Sequence, residues 1–196
     1  LEQACSEAGV DLDAVQAELD ALAVAPLTGP VADEVGALIG HIVSVHHTYL
    51  RRELPRLGEL MVKVIAAHGT AHPEVHDMAA TLEELSADLL PHLLKEERVL
   101  FPLAIELLGA VEPTGLHGGS VTNPIRVMNS EHDRVGELLV TLRRQTGGYE
   151  PPEDACPTWR ALYAGCAEME ADVHQHVHLE NNLLFPKIIG LEMSLG

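Results

Sequence analysis

A chain of 196 residues, 46% hydrophobic and only 3% aromatic, can bury one substantial aliphatic core and little more. Its formal net charge of −18, from 30 acidic against 12 basic residues, argues against nucleic acid or an anionic membrane surface as a partner, because both demand a basic patch. The cysteines, Cys5, Cys156 and Cys166, are scattered and make neither a disulfide framework nor a thiolate metal site. No signal peptide is recognisable and no apolar run nears the ~18 residues of a membrane span, so a reducing cytoplasm is the expected setting.

Residues 1–29 read as short helical pieces, "LEQACSEAG" and then "DLDAVQAELDALAVAP" with Asp11 as N-cap, closed by the linker "PLTGP". The chain opens at Leu1 rather than Met, which reads as a fragment of something longer, with 1–29 a remnant of an N-terminal segment and 30–196 the main domain. Four long helical patterns follow. The first covers about 31–66, and Pro55 inside it is expected to kink it. After the turn "AHGTAHPE", the second covers about 73–109, opened by Pro73 and interrupted by Pro91 and Pro102. A Gly/Pro-rich loop at 109–124 leads to the third, about 124–145, which stops at Gly147-Gly148. The loop "YEPPEDACP" precedes the fourth, about 157–190. No alternating strand pattern occurs. The expected fold is all-α, an up-down-up-down four-helix bundle with short N-terminal helices.

Two stretches share one frame. "HLLKEERVLFP" at 92–102 and "HVHLENNLLFP" at 176–186 both read His, three residues, Glu, four residues, Phe-Pro. On a helix, positions four apart differ by roughly 40° and lie one turn above each other. His92 and Glu96 therefore share a face, with Leu85, Leu89, Val99, Leu100 and Leu103. His176 and Glu180 share one with Met169, Val173, Leu183 and Leu184. Asp88 and Asp172 lie four residues before the histidines and are candidate acceptors for the free imidazole N–H of His92 and His176. In the third pattern His132 is the only polar member of the stripe Ile125, Met128, His132, Val135, Leu139, Leu142. In the first, His46 and His47 both fall near the inward side, and periodicity does not choose between them.

Taken singly, a His-x-x-x-Glu on a helix is usually a surface pair, and a lone histidine on an apolar stripe is usually structural. Together, two buried carboxylates and four inward histidines would be costly to desolvate unless a cation compensates them. A metal pair does so, with carboxylates bridging and histidines capping each ion. Histidine and carboxylate without thiolate suit iron or manganese, with zinc as the alternative. The remaining histidines lack such a pattern. His68, His72 and His76 are split by a turn and Pro73, His174 and His178 lie on the outer face, and His41 and His117 have no partner pattern. Cys156 and Cys166 read as small apolar packing residues.

"HHTYLRRELPRL", "HLLKEERVLFP", "MNSEHDRVGELL" and "HVHLENNLLFP", in this order, resemble the hemerythrin-like di-iron proteins of the repair-of-iron-centres family, over about residues 9–190. The resemblance implies two Fe ions joined by an oxo or hydroxo bridge and two bridging glutamates. It places the ligands at His47, His92, Glu96, His132, His176 and Glu180, settles the first-helix choice on His47, and sets Glu131 and Asp88 near the centre. The function it implies is repair of, or iron supply to, iron–sulfur clusters damaged by nitric oxide or oxidative stress, an iron donor rather than a conventional enzyme. Its partners would be damaged iron–sulfur proteins and small diatomics such as nitric oxide or oxygen, and the protein would be a monomer or homodimer. The alternative is a di-iron enzyme reactive with nitric oxide or oxygen, or a hemerythrin-type gas sensor. Gly136 stands where hemerythrin oxygen carriers place a second third-helix histidine, which argues against a simple oxygen carrier. The N-terminus resembles only the tail of the paired-cysteine domain usual in the family. The halves of the bundle repeat, a single His and then His-x-x-x-Glu, so neighbouring helices are expected to share an ion: His47 with His92, and His132 with His176.

Overall fold

In a computed structural model of the chain, the structure describes residues 31–109 and 120–195. The expected N-terminal helices and linker of 1–29, the Asp11 cap, Cys5, His117 and the middle of the 109–124 loop lie outside the described residues. Of the described residues, those from Val35 onward make one compact unit.

Every described element is helical. The first long helix is α1 (Val31–Ile42), a π-helical turn at Val43–His47, and α2 (Thr48–His68). The second is α3 (Glu74–Lys95), a π turn at Glu96–Leu100, and α4 (Phe101–Gly109). The third is the uninterrupted α5 (Thr122–Gln145). The fourth is α6 (Pro157–Leu179), a π turn at Glu180–Leu184, and α7 (Phe185–Leu195). Helix α2 packs on α3 and on α6, α3 packs on α5, and α4 packs on α7. This is the four-helix bundle expected from the sequence. Among the described residues no helix is long and apolar enough to cross a membrane.

The prolines behave differently from one another. Pro91 does not interrupt α3, which runs through it, and Pro55 sits inside α2. Pro73 caps α3 from one residue outside. Pro102 and Pro186 coincide with widened turns. The amide of Phe101 reaches back five residues to the carbonyl of Glu96, and that of Phe185 to the carbonyl of Glu180. A proline ring cannot donate and collides with the carbonyl four residues earlier in a regular helix. One extra residue in the preceding turn relieves that collision. The extra residue also shifts the helical phase, so Val99 points outward at 49% exposure while Leu100, Phe101, Leu103 and Ala104 turn inward. The sequence stripe had placed Val99 inside.

Helix α5 ends in a left-handed turn in which Gly147, Gly148 and Tyr149 all have positive φ (60°, 81° and 67°). Only glycine adopts this freely, and Tyr149 is held there by its amide donating to the Thr146 hydroxyl.

The core has two apolar layers. One holds Leu50, Leu54 and Leu57 of α2, Leu85, Leu89 and Leu93 of α3, Val135 and Leu139 of α5, and Met169 and Val173 of α6. The other holds Val35, Leu38 and Ile42, then Leu100 and Phe101, Ile125 and Met128, and Leu184 and Phe185. Along each long helix, one layer ends and the other begins within a few residues of a buried histidine or glutamate. The six residues singled out by the sequence form a polar sheet between two oily ones.

Candidate metal centre

His47 closes the first π turn, Glu96 and Glu180 open the second and third, His92 and His176 stand one turn before those glutamates, and His132 lies mid-way along α5. π turns are uncommon and concentrate at functional sites, and here three lie in one layer. All six side chains are buried, Glu96 and Glu180 at 0% exposure and the others at 7% or less.

They fall into two groups that share both glutamates: His47, Glu96, His176 and Glu180, and His92, Glu96, His132 and Glu180. In each group one ligand atom per residue lies within 4.8 Å of all the others. The Nε2 atoms of His47 and His176 are 3.2 Å apart, and so are those of His92 and His132. Each carboxylate divides its oxygens between the groups. Glu96 Oε2 stands 3.3 Å from His47 Nε2 and Oε1 3.3 Å from His92 Nε2. Glu180 Oε1 stands 3.3 Å from His176 Nε2 and Oε2 3.1 Å from His132 Nε2. The histidine pairing expected from the sequence is therefore corrected. Packing brings α2 against α6 and α3 against α5, so the histidines pair across those contacts and not along the chain.

The donor set fits cations. All four oxygens of Glu96 and Glu180 are buried without a hydrogen-bond partner, and such groups are costly unless something positive meets them. Two nitrogens 3.2 Å apart match neighbouring ligands on one ion at about 2.1 Å with an angle of roughly 100°. Without a cation, imidazoles compensate instead. Burial opposes charge on His47 and His92, but contact with Glu96, and with Glu97 or Glu131, outweighs it, so both hold a proton above the usual range, His92 up to about 9. Burial likewise opposes ionisation of Glu96, yet His47 and His92 hold its carboxyl well below the usual carboxylate range.

Behind the histidines stand hydrogen-bond acceptors. His47 Nδ1–H donates to Glu97 Oε1 (2.7 Å), His92 Nδ1–H to Glu131 Oε2 (2.9 Å), and His132 Nδ1–H to Asn181 Oδ1 (3.0 Å). These bonds fix the tautomer that turns the Nε2 lone pair inward. Arg51 in turn holds Glu97 at 2.9 Å, and Lys95 holds Glu131. Phe101 stacks on His47 with ring centroids 5.8 Å apart, and Phe185 on His132 at 6.0 Å. The Phe of each Phe-Pro thus packs on the single histidine of its half, a role the sequence reading missed although the repeat displayed it. Glu97 and Asn181, each directly after a repeated glutamate, were missed as well.

Asp88 and Asp172 do not support His92 and His176 as expected. Asp88 accepts from Arg134 Nε (2.5 Å), and Asp172 from His46 Nδ1–H (2.9 Å). Glu131 supports His92, as its expected place near the centre allows. The histidines set aside lie elsewhere. His68 packs on Trp159, His72 bonds Glu74 and Asp154, His174 contacts Glu170, and His178 contacts Asn182. Cys166 is buried as expected, and Cys156, the N-cap of α6, is half-buried against the same core layer.

The hemerythrin HHE cation binding domain matches residues 38–188 of the chain. The iron–sulfur cluster repair protein YtfE of Yersinia pseudotuberculosis serotype IB (strain PB1/+) is 37% identical over 189 residues, 95% of this chain and 81% of the relative. The protein of the same name from Enterobacter sp. (strain 638) is 36% identical over 193 residues, 98% and 84% of the two chains. That of Yersinia pestis (strain Pestoides F) is 37% identical over 189 residues. With its buried histidine–glutamate layer and this likeness over nearly its whole length, the chain belongs to the hemerythrin HHE cation-binding family, alongside the iron–sulfur cluster repair proteins.

Proposed function

We propose that residues 30–196 hold two iron ions, oxo- or hydroxo-bridged, and that the protein repairs or supplies iron to iron–sulfur clusters damaged by nitric oxide or oxidative stress in the cytoplasm. The observation that carries this reading is the division of each buried carboxylate between two histidine pairs, in a chain similar along 95% of its length to a protein named for that repair. His47 and His176 would hold one iron, His92 and His132 the other, and Glu96 and Glu180 both.

Bound iron supplies a reducible, exchangeable cation. The rest is the work of the side chains. His47 and His176 with one oxygen of each glutamate, and likewise His92 and His132, would supply four protein donors per ion, fewer than iron accepts, which would leave room for a small diatomic or a receiving ligand. Glu97, Glu131 and Asn181 aim the imidazoles, and the two apolar layers keep water from the carboxylates. A held cation replaces the protons on His47 and His92, so loading releases protons and acid favours release.

The test is an iron count with a spectrum of the isolated protein, followed by incubation with an iron–sulfur enzyme inactivated by nitric oxide. Two irons per chain, and recovery of that enzyme with matching loss of iron from this protein, are expected. Nitric oxide consumption under reducing conditions without such recovery would replace repair by gas chemistry, and one zinc per chain would overturn both.

A further inference from the structure

The two halves of the centre correspond residue by residue. His47, His92 and Glu96 in the first half stand where His132, His176 and Glu180 stand in the second. The supports follow the same rule. The residue after each glutamate, Glu97 or Asn181, accepts from the single histidine of its half, His47 or His132. His92 donates to Glu131, the residue immediately before His132. Under the same correspondence, the support of His176 should be the residue immediately before His47. That residue is His46.

The surroundings of His46 agree. It is 1% exposed, as is His176. Its Nδ1–H donates to Asp172 Oδ1 at 2.9 Å, which leaves an acceptor lone pair on Nε2. That Nε2 is buried and unpartnered. So is His176 Nδ1, which carries the proton if Nε2 faces an ion. One orphaned donor and one orphaned acceptor therefore lie on two rings whose centroids are 5.6 Å apart and whose planes differ by only 8°. Imidazoles joined edge to edge by an N–H···N bond of about 3 Å have centroids a little over 5 Å apart, so these parallel rings must shift to close the bond, which the structure leaves open. A buried donor or acceptor left unpaired is penalised, and pairing these two removes both penalties.

We infer that His46 is the positioning residue of His176, accepting its Nδ1–H through Nε2 in a chain Asp172–His46–His176. This rests on the reading of the centre as two histidine-paired cation sites. The chain differs from its counterpart. Glu131 is an anion held by Lys95, whereas His46 is a neutral ring whose charge lies one residue farther out, on Asp172. An imidazole backed at second hand makes His176 a weaker donor than His92. The ion between His47 and His176 is then the one that loss of His46 loosens.

The experiment follows ion release from the iron-loaded protein into a ferrous chelator. His46→Phe keeps a ring and removes the acceptor, His46→Gln restores an acceptor, and Glu131→Gln perturbs the other half. In the wild type, two phases of equal amplitude are expected. His46→Phe should speed one of the two phases by roughly 10-fold or more, the usual effect of losing a ligand's hydrogen-bonding partner. His46→Gln should return most of that loss. Glu131→Gln should speed the other phase, and the double variant both. If His46→Phe alters the phase that Glu131→Gln alters, or neither, the inference falls. Should His46→Phe fail to fold, the zinc-loaded wild type still decides: nitrogen-15 spectra must show a proton on His176 Nδ1 bonded to His46, and a His176 Nδ1–H exchanging with solvent overturns the inference. A protein that releases two irons in two phases but repairs no cluster loses the proposed function and keeps this positioning role.

Discussion

His47 and His176 meet nitrogen to nitrogen at 3.2 Å, although 129 residues separate them in the chain. His92 and His132 meet in the same way. The contact between α2 and α6, not chain order, decides which histidines share a partner.

This pairing predicts which double variants spare an ion. His47→Ala with His176→Ala empties one side, and iron content should fall from two per chain to about one, because His92, His132 and both carboxylates remain. His47→Ala with His92→Ala takes a histidine from each side and should weaken both ions. Metal analysis after gel filtration reads the difference. The opposite ranking would restore the pairing along the chain.

The carboxylates predict a different pattern. Each of Glu96 and Glu180 sets one oxygen toward each group, so on the proposed two-iron reading Glu96→Ala would remove a ligand from both ions and leave their mutual repulsion less compensated. Both irons should be lost together on dialysis against a chelator. Of the six central residues Glu97 bonds only His47, at its outer nitrogen, so Glu97→Gln should weaken one ion by about 10–100-fold while sparing the other. Retention of one tightly held iron by Glu96→Ala would show that this carboxylate serves a single ion.

The sequence carried the four helices and five of the six inward residues because helical period and residue chemistry suffice for them, whereas the choice of His47 over His46 came from the family resemblance. His92 and Glu96 are one turn apart whatever surrounds them. What it could not carry was phase and partnership. Val99 left the stripe because Pro102 widens the turn before it, and strict 3.6-residue counting has no place for an added residue. Asp172 was matched to His176 on its own helix, since intrahelical spacing is all that a sequence displays, and it took His46 from another helix instead. Glu97 and Asn181 were legible in principle. Each follows a repeated glutamate, but their roles emerge only when that position is seen to face the neighbouring helix.

Cys156 predicts a pH-dependent thiol. Backbone amides of Trp159 and Thr158 at the start of α6, together with His68, lower its pKa to about 7, whereas burial pushes the Cys166 thiol up to about 12. The thiolate is the reactive form. Alkylation of Cys156 should therefore rise through a midpoint near 7, with roughly fifteen times the thiolate of an ordinary cysteine at that pH, while Cys166 stays unmodified. Peptide mapping after brief iodoacetamide treatment reads each site separately. His68→Gln should move the midpoint upward, and an unmoved midpoint would leave the helix amides as the sole cause.

Two glycines predict opposite effects of the same substitution. A Cβ on Gly165 of α6 would meet Leu57 Cδ2 and Arg56 Nη2 at 2.7 Å and Glu53 Oε1 at 3.1 Å. Arg56 can swing aside, but Leu57 is 0% exposed and has nowhere to go. Gly165→Ala should push α6 away from α2 and cost about 1–3 kcal/mol, the range for overpacking a dense core. Gly136 sits mid-way along α5 with nothing within 4 Å of a built Cβ. There alanine only removes backbone freedom from the unfolded chain and should stabilise by about 0.5–1 kcal/mol. Urea unfolding of the metal-free proteins measures both. Because α6 also carries His176 and leads directly into Glu180, Gly165→Ala should in addition loosen the ion held with His47, whereas Gly136→Ala should leave iron content unchanged. If Gly165→Ala proves as stable as the wild type, the close approach of α2 and α6 is not what fixes the distance between His47 and His176.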